Sequence, residues 1–495
     1  MAQLNRRIGP RAGELPAGEA EPLAEEGARR AGGIARRADG TARTTVILAM
    51  LGAFVIFLDA TAVNVALPSM GHTLGGSTAG LQWAVDGYTL PLAALLISAG
   101  AVSDRAGAKR VLGWGVAAFA VASAACGLAP TLGALIAARV VQGGAAAAIM
   151  PSSLALVRQA YADPARRARA VAAWVSGGAA ALAAGPVIGG ALTSAAGWRV
   201  IFFVNVPVGL AALMLLARTP ASPRRAAPLD PAGQVTAIVA LAALAFGIIE
   251  GGASGFGRPV VAVSLALAVA GFAGFAVAEA KVAHPMVPPR ILRLRTVVAC
   301  LSIGFAFNAA FYGIAFVLTL YFQRELGEPP VIAGLMFLPM TALLTVANQA
   351  AAPVAARFGH QAPVRIGLLV SGLAMLALAF LRAEPLVALD LIPVGTGLGF
   401  ALPSLTFIML EAIPAEQAGM AGGLLNACRQ AGGAVGVALY GALVSGTSLA
   451  AFESGMRTSM LIAAALLLAA AVTALTALRP VRPPRARLVS PRSRA

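Results

Sequence analysis

Long apolar stretches separated by short polar loops occupy most of the chain between residues 44 and 478. A helix needs about 20 apolar residues to cross the hydrocarbon core of a bilayer. Fourteen stretches meet this length: 44–67, 81–103, 110–129, 132–154, 169–192, 200–218, 232–251, 258–279, 297–321, 330–350, 363–381, 386–410, 419–446 and 458–478. The pattern therefore predicts an all-α integral membrane protein with fourteen transmembrane helices.

The two ends of the chain lack this pattern. Residues 1–43 are rich in Ala, Gly, Arg and Glu, which predicts a disordered cytoplasmic tail, and residues 480–495 form a basic tail. The first apolar stretch is too long for the core of a signal peptide, and no convincing cleavage site follows it. We therefore expect it to remain as the first transmembrane helix.

Positive charge is distributed unevenly between the two sides of this predicted topology. Of the 37 Lys and Arg residues, 30 lie on the side of the amino terminus, five on the opposite side and two inside apolar stretches. Loops rich in Lys and Arg stay in the cytoplasm, so both termini are expected there. The net charge of +17 then reflects orientation in a membrane, and we expect no nucleic-acid partner.

Composition supports the membrane assignment and narrows the chemistry. Hydrophobic residues make up 59% of the chain and charged residues 12%, against about 45–50% and 25% in soluble domains. The three cysteines lie in apolar helices at unrelated spacings, so neither a disulfide framework nor a metal site is predicted. Because the basic residues are almost all arginines, a GC-rich genome and a bacterial cytoplasmic membrane are favoured.

Two short motifs recur at one offset of 252 residues, which indicates duplicated halves. They are Pro151-Ser152 with Pro403-Ser404, and Arg105-Ala106-Gly107 with Arg357-Phe358-Gly359. Transporters are commonly built from such repeats, with the binding site at their interface. The predicted units are an amino-terminal six-helix bundle at 44–219, a central linker with two extra transmembrane helices at 220–296, and a carboxy-terminal six-helix bundle at 297–479.

One arginine lies well inside the fourth apolar stretch. At a rise of about 1.5 Å per residue, Asp59, Asp86 and Arg139 come out about 12, 8 and 10 Å below the outer ends of their helices. Ionised groups in membranes face the bundle interior and pair. We therefore expect Arg139 to pair with Asp59, Asp86 or both. Gln142 and Gly143 follow at the spacing that shares its helix face.

Six stretches, in order and on the matching predicted helices, carry a family resemblance. They are LDATAVNVALP (58–68), GAVSDRAGAKR (100–110), RVVQGGAAA (139–147), GGAAALAAGPVIGG (177–190), WRVIFFVNVP (198–207) and AGGLLNACRQAGGAVG (421–436). Together they resemble the drug:proton antiporters of the major facilitator superfamily, in the branch with fourteen spans. The resemblance covers about residues 44–478 and implies the major facilitator fold, with two six-helix bundles plus two extra helices.

The resemblance favours a proton-coupling role for Asp59 and Arg139, and Asp86 is a further candidate. A carboxylate beside a cation releases its proton, and withdrawal of the cation favours proton uptake. Alternating access could then load a proton outside and release it inside. The alternative is a static ion pair that only fixes helix packing; Asp86 could also simply meet water near the outer helix end.

The loop between the second and third helices resembles the family's conformational latch, which joins the two bundles in the outward-open state. Its residues are Gly100, Asp104, Arg105, Gly107, Lys109 and Arg110. Asp104 is expected to accept hydrogen bonds from a helix amino terminus. The second half has Ala356 at the matching position, so a single latch is expected. A plain positively charged cytoplasmic turn is the alternative.

The fifth helix carries the motif that the family associates with antiporters. Its members are Gly177, Gly185, Pro186, Gly189 and Gly190. Glycine lets helices touch backbone to backbone in lipid, and proline bends or loosens a helix at its own turn. Such an interface could close the pathway in one state. Glycine-rich packing without a transport role is the alternative.

Polar and aromatic residues within the predicted helices are candidates for substrate binding. They are Asn64, Gln82, Trp83, Tyr88, Gln142, Asn308, Phe311, Tyr312, Asn348, Asn426 and Arg429. Core packing or lipid contact is the alternative for the aromatic residues. Arg429 has no deep acid in the second half of the sequence to pair with, so it is a candidate to bind a carboxylate of the substrate. Pairing with a carboxylate that the sequence does not identify is the alternative.

Three functions remain open at this stage. The first is proton-driven export of amphipathic organic compounds such as antibiotics, dyes or drugs. The second is export of one endogenous metabolite, lipid or amino acid by the same fold. The third, a membrane enzyme or scaffold, lacks clustered catalytic residues in the sequence. The expected partners are a small organic molecule, protons and the bilayer; we expect a monomer without a cofactor.

Overall fold

The computed structural model describes residues 17–224, 229–381, 384–414, 417–446 and 448–478. Side chains are described from Asp39 onward, except at 384, 385 and 418. Across these ranges, long helices joined by short turns account for nearly all of the chain.

Fourteen long helices follow one another in the described ranges. They are α1 (Ala17–Leu74), α2 (Thr78–Ala106), α3 (Ala108–Leu128), α4 (Leu132–Ala160), α5 (Pro164–Ala196), α6 (Arg199–Ala217), α7 (Pro231–Ser254), α8 (Pro259–Lys281), α9 (Arg295–Glu325), α10 (Pro330–Phe358), α11 (Gln361–Leu378), α12 (Glu384–Glu411), α13 (Ala418–Leu443) and α14 (Leu449–Ala477). A short helix, Pro289–Leu292, precedes α9, which ends in a π-helical turn at Tyr321–Glu325.

The fourteen predicted spans correspond to these fourteen helices. Within the described ranges, thirteen helices have the length and apolarity of membrane spans. The fourteenth is α13, which is 26 residues long and carries Asn426, Arg429 and Gln430. Most helices run a few residues beyond the predicted apolar limits, because a helix continues past the hydrocarbon core into the polar region of the bilayer. The predicted all-α membrane fold is confirmed.

The amino-terminal end differs from the prediction. Helix α1 begins at Ala17, so the backbone of residues 17–43 is helical where a disordered tail was expected. Ala, Glu and Arg are good helix formers, and this segment extends an existing transmembrane helix, which avoids the cost of helix nucleation. Residues 1–16 and the basic tail at 480–495 lie outside the described residues.

The helices form two bundles with matching contact patterns. In the amino-terminal bundle, α1 packs against α5 and α6, α2 against α4, and α3 against α4 and α6. In the carboxy-terminal bundle, α9 packs against α13 and α14, α10 against α12, and α11 against α12 and α14. Adding eight to both helix numbers of a contact in the first bundle gives the corresponding contact in the second bundle, as α1 with α5 corresponds to α9 with α13. The duplication that the sequence motifs indicated is therefore present in the fold.

The repeated glycine turns have the same backbone conformation. Gly107 between α2 and α3 has φ of 92°, and Gly359 between α10 and α11 has φ of 80°. A side chain at positive φ clashes with its own backbone, so glycine is required at both turns. The repeated prolines also correspond, since Pro151 lies inside α4 and Pro403 inside α12.

The two bundles are joined mainly at the end away from the chain termini. There, one apolar core runs from the carboxy-terminal bundle into Leu67, Met70 and Leu81 of the amino-terminal bundle. At the other end, a separate core around Leu48 and Ile149 belongs almost entirely to the amino-terminal bundle. The structure is therefore closed at the end remote from the termini.

Hydrogen bonds across the bundle interface concentrate at the same end. Gln82 Nε2 of α2 donates to the carbonyl oxygen of Ala438 on α13 at 2.7 Å. Gln323 Nε2 of α9 donates to the carbonyl of Val65 on α1 at 2.7 Å. At the opposite end the described residues give one such contact, between Asn426 and Met150. This distribution supports closure at the remote end.

The two extra helices lie beside the bundle interface. Helices α7 and α8 pack against each other, and α7 contacts both α2 and α13. Gln234 Nε2 of α7 donates to the carbonyl of Ala94 on α2 at 2.9 Å. Ser445 Oγ, just after α13, donates to the carbonyl of Gly252 on α7 at 2.8 Å. Helix α7 thus bridges the two bundles on one side.

A glycine at the contact between α4 and α2 offers a test of this packing. A Cβ at Gly143 would overlap the carbonyl of Tyr88, whereas a Cβ at Gly133, on the same helix, would meet open space. We expect Gly143→Ala to destabilise the protein by about 1–3 kcal/mol, the usual cost of overpacking. Gly133→Ala should leave stability unchanged or raise it slightly. Thermal unfolding in detergent measures both, and equal melting temperatures would contradict the described packing.

Candidate functional site

A buried ion pair joins α1 to α4. Arg139 Nη1 donates to Asp59 Oδ2, and both residues are 1% exposed. The predicted pairing of Arg139 with Asp59 is therefore present. Helix α4 also packs closely against α2, because a Cβ at Gly87 on α2 would lie 3.3 Å from the carbonyl of Ile136 on α4.

Two amides complete the hydrogen bonding of the carboxylate. Gln142 Nε2 and Asn205 Nδ2 donate to Asp59 Oδ1 at 3.0 and 2.9 Å. Both amides also donate to Ser123 Oγ, at 3.2 and 3.0 Å, and this hydroxyl donates to the carbonyl of Phe202 at 2.9 Å. Four helices, α1, α3, α4 and α6, therefore converge on one carboxylate.

The guanidinium group is equally enclosed. Arg139 Nε donates to the carbonyl of Ala84 at 3.0 Å, and Nη1 donates to Gln142 Oε1 at 2.8 Å. The guanidinium carbon lies 4.3 Å from the ring centroid of Tyr88 and 5.8 Å from that of Phe202. A charge held this way in a membrane is compensated by its counter-ion, hydrogen bonds and aromatic rings together.

Asp86 is separate from this network. It is 0% exposed, and its Oδ1 accepts a hydrogen bond from Thr89 Oγ1 at 3.1 Å. Its Oδ2 has no partner among the described residues. Of the predicted pairings, the one between Arg139 and Asp86 is absent, because Arg139 passes α2 at the backbone of Ala84. Asp86 is thus a buried acid without a counter-ion in the described part of the chain.

The glycine motif of α5 contacts both bundles. A Cβ at Gly185 or Gly189 would meet Thr61 or Ala62 on α1, and one at Gly190 would meet the carbonyl of Pro330 on α10. The motif's first glycine, Gly177, faces Met50 of α1.

The same surface of α5 is close to α10 at a second point. A Cβ at Gly334 would meet the carbonyl of Pro186, and the amide of Val331 donates to Ser194 Oγ at 3.1 Å. Helix α5 is therefore in close contact with α1, the helix of Asp59, on one side and with α10 of the carboxy-terminal bundle on another side.

The loop of the predicted latch contacts the segment after α6. Lys109 Nζ donates to the carbonyl of Thr219 at 2.5 Å, and its amide donates to Ser222 Oγ at 3.1 Å. Asp104, Arg105 and Arg110 are exposed. Gly100 lies near Pro151, and Gly107 makes the turn.

The expected hydrogen bond from a helix terminus to Asp104 is not among those that the described residues make. Helix α3 begins after Gly107 without a side-chain cap. Asp104 is on the last turn of α2, where the exposed carboxylate meets solvent. In the present conformation this loop therefore fastens the amino-terminal bundle to its own linker.

A small cavity lies between the bundles. Thr61 and Asn64 of α1, Phe311 of α9 and Thr341 of α10 are among its lining residues. Asn64 is buried, and its Oδ1 has no partner among the described residues. The sequence-predicted residues Asn64 and Phe311 are thus brought to one cavity.

Other predicted binding residues are dispersed. Trp83 lies at the contact of α2 with α7, its ring 6.2 Å from that of Phe246. Tyr312 stacks edge to face on Phe311, with ring centroids 5.2 Å apart. Asn348 is half-buried on α10. Gln82 joins the bundles, as described above, while Tyr88 and Gln142 belong to the ion-pair network.

Arg429 is the second cation inside the apolar helices. Its Nε donates to Asn308 Oδ1 at 3.3 Å, and Asn308 Nδ2 donates to Gln430 Oε1 at 3.3 Å. Its guanidinium carbon lies 5.8 Å from the ring centroid of Phe307. Among the described residues no carboxylate lies within ion-pair distance of Arg429. Unlike Arg139, Arg429 is only half-buried.

Sequence reasoning missed two members of the ion-pair network. Asn205 lies in the quoted stretch WRVIFFVNVP, where an asparagine inside an apolar helix was an available signal. Ser123 gave no signal, because serine is common in transmembrane helices, where its hydroxyl can donate a hydrogen bond to a carbonyl of its own helix. Its role depends on which way α3 faces.

The comparisons with known proteins agree with this architecture. Residues 49–437 match the sequence profile of the Major Facilitator Superfamily. The chain is 39% identical over 407 residues to the "Methylenomycin A resistance protein" of Streptomyces coelicolor, covering 81% of this chain and 86% of that protein. It is 36% identical over 413 residues to the "Multidrug resistance protein Stp" of Mycobacterium tuberculosis, covering 83% and 77%. The chain belongs to the Major Facilitator Superfamily.

Solved structures support the fold alone. A crystal structure of a D-xylose-proton symporter is 15% identical, with a TM-score of 0.65, covering 88% of this chain and 98% of that one. A third relative by sequence is the "Tetracenomycin C resistance and export protein" of Streptomyces glaucescens, 35% identical over 81% of this chain and 76% of that protein. The family and the fold are those of multi-pass membrane transporters rather than enzymes.

The ion pair predicts non-additive mutational effects. Arg139→Gln leaves Asp59 as a buried carboxylate without its counter-ion, which typically costs about 3–5 kcal/mol. We expect Asp59→Asn to restore part of that loss when it is added to Arg139→Gln. Thermal unfolding of the two single variants and the double variant in detergent measures the coupling. Additive losses would show that the two side chains do not interact.

Proposed function

We propose that the chain is a proton-coupled antiporter that exports amphipathic organic compounds such as antibiotics, dyes or drugs across the bacterial cytoplasmic membrane. Membership of the family and the names of the relatives, which refer to antibiotic resistance, multidrug resistance and export, support the export of such compounds. The observation that carries the proton coupling is the buried pair of Asp59 and Arg139.

The proton-binding group in this proposal is the carboxylate of Asp59. In the present conformation both of its oxygens accept hydrogen bonds, and a guanidinium balances its charge. A nearby cation favours the ionised form of a carboxylate, and withdrawal of the cation favours proton uptake. A proton and Arg139 therefore compete for the same oxygens. Proton binding requires a conformation in which α4 and α1 have moved apart.

Helix α5 supplies the mechanical link between this competition and the bundle interface. It touches α1 through Gly185 and Gly189, and α10 through Gly190 and Gly334. Rigid backbone contacts transmit a displacement because close-packed interfaces are not continuously deformable. Separation of α5 from α10 would thus displace α1 relative to α4. We propose that protonation of Asp59 accompanies this opening.

The present conformation corresponds to one state of the cycle. With both termini in the cytoplasm, the closed end is the outer end, and Asp59 is paired with Arg139. We assign this arrangement to the proton-free state of the cycle. Opening outward exposes Asp59 to external protons and releases substrate. The return to the outward-closed state re-forms the ion pair and releases the proton inward. Inward proton movement thereby drives outward substrate movement.

Arg429 is the proposed substrate anchor in the carboxy-terminal bundle. One of its five guanidinium donors bonds to Asn308, and the other nitrogens have no described protein partner. An arginine in a membrane is costly without compensation. An acidic group of the substrate would supply the missing counter-charge, while Phe311, Asn64 and the cavity around them would contact its apolar part.

The proton role predicts that Asp59→Asn abolishes coupled export. An amide retains the shape of the carboxylate but neither binds the transported proton nor balances Arg139. We expect loss of resistance in an efflux-deficient bacterium and loss of substrate-driven proton movement in liposomes, with unchanged amounts of protein in the membrane. Glu411→Gln, which neutralises an exposed acid at the end of α12, is the matched control. Full activity of Asp59→Asn would contradict the assignment.

The anchor predicts a selective defect. Arg429→Ala should reduce export of compounds with an ionised acidic group by about tenfold or more, because a charge-assisted hydrogen bond contributes about 1.5–3 kcal/mol. Neutral compounds of similar size should be exported as by the wild type. Arg429→Lys should retain part of the activity towards acids, since the charge remains. Uptake into inverted membrane vesicles measures these rates, and an equal loss for both classes would refute the anchor.

A second candidate is export of one endogenous acidic metabolite. The guanidinium of Arg429, which has no ion pair among the described residues, favours it. A panel of toxic compounds tested in an efflux-deficient bacterium separates the two candidates. Resistance to several unrelated compounds supports the multidrug exporter. Accumulation of one cellular metabolite after deletion of the gene, without altered drug resistance, supports the specific exporter.

A further inference from the structure

A cavity of about 510 Å³ lies at the end of the amino-terminal bundle that carries the chain terminus. It opens to the surface between the first part of α1 and the beginning of α5, far from the ion pair. Its lining residues are Asp39, Arg43, Val46, Ile47, Tyr161, Arg166, Arg169 and Ala170. The proposed transport cycle uses none of them.

The polar part of this cavity is strongly basic. Among the described lining residues, Arg43, Arg166 and Arg169 face one acid, Asp39, so these four side chains carry a net charge of about +2 at neutral pH. Asp39 holds two of the arginines, with Oδ2 at 3.4 Å from Arg43 Nε and Oδ1 at 3.2 Å from Arg166 Nη1. Arg169 has no ion pair among the described residues.

The arginines are positioned by the turn before α5. Asp163 Oδ2 accepts from the amide of Arg166 at 2.7 Å and caps the helix. Arg167 donates to the carbonyls of Tyr161 and Ala162 at 3.1 and 3.0 Å. Asp163 is therefore committed to the helix end and Arg167 to the turn. The guanidinium groups of Arg43, Arg166 and Arg169 line the cavity and keep N–H donors that can bind a ligand.

The other wall of the cavity is apolar. Val46, Ile47 and Ala170 line it, and Ile47 is 53% exposed. Arg43 immediately precedes the first apolar stretch, which begins at Thr44. The arginines therefore lie at the level of the lipid headgroups and the apolar wall at the level of the first carbons of the acyl chains. A bound molecule would need an anionic end and an apolar end in this order.

We propose that this cavity binds an anionic phospholipid of the inner leaflet. Arginine binds phosphate oxygens through paired, charge-assisted hydrogen bonds, and basic pockets between transmembrane helices on the cytoplasmic side are suited to anionic lipid headgroups. The phosphate lies among Arg43, Arg166 and Arg169, and an acyl chain follows Val46 and Ile47. The lipid joins the cytoplasmic ends of α1 and α5.

The proposal is tested by lipid binding to purified, delipidated protein in detergent. Native mass spectrometry and thermal unfolding are measured with phosphatidylglycerol, with phosphatidylcholine and with soluble glycerol 3-phosphate. We expect phosphatidylglycerol to bind and to raise the melting temperature, whereas the other two ligands have little effect. Phosphatidylcholine carries no net charge, and glycerol 3-phosphate has no apolar end.

The binding residues are tested by a double variant and a matched control. Arg166→Ala/Arg169→Ala should weaken phosphatidylglycerol binding about tenfold or more, because each arginine near an anionic lipid contributes about 1 kcal/mol. Arg290→Ala/Arg293→Ala removes two exposed arginines on the same side of the membrane and should bind as the wild type does. Arg166→Lys/Arg169→Lys should retain only part of the affinity, because the charges remain but the paired hydrogen bonds to phosphate are lost.

Three results would overturn the proposal. Equal weakening in the control variant would mean that the lipid responds only to overall charge. Equal stabilisation by glycerol 3-phosphate would assign the cavity to a soluble phosphate compound. Equal binding of phosphatidylcholine would show that the cavity does not recognise the negative net charge of the lipid headgroup. All variants replace surface residues outside the ion-pair network, and the ligand-free melting temperature establishes that each is folded.

Discussion

The ion pair between Asp59 and Arg139 is the constraint on which the amino-terminal bundle depends. Two opposite charges in the apolar interior compensate each other when they are paired and hydrogen-bonded. The second carboxylate oxygen accepts hydrogen bonds from Gln142 and Asn205, and Ser123 in turn accepts one from Asn205. The rotation of four helices about their own axes is thereby restricted to the one that brings these side chains together.

Close backbone contacts extend this constraint to the second bundle. Glycines of α5 place it against α1 on one side and α10 on the other, so the ion pair and the closed end belong to one packed unit. In lipid, helices gain little from the hydrophobic effect against each other, and such small-residue contacts supply much of their association. A protein built this way has few intermediate arrangements, which suits it to switch between two states.

The depth of a charged residue along its helix was predictable from the sequence, whereas the direction of its side chain was not. The depth of Asp59 and Arg139 along their helices led to their pairing, but the same arithmetic placed Asp86 at a similar height, where it has no counter-ion among the described residues. Depth follows from residue number, whereas the direction of a side chain around the helix axis follows from packing. Asn205 reaches the carboxylate, and Ser123 reaches Asn205, for the same reason, and no local pattern indicates either contact.

The sequence by itself determined the number of helices, their order and the duplicated halves, because hydrophobic length and glycine turns are local properties of the chain. Tertiary structure alone decided which acid pairs with Arg139 and that Arg429 donates to Asn308, with no ion pair among the described residues. It also decided that α7 bridges α2 and α13 and that the bundles are closed away from the termini. These features arise from contacts between residues far apart in sequence, and helix rotation and tilt, which create them, are set by the neighbouring helices.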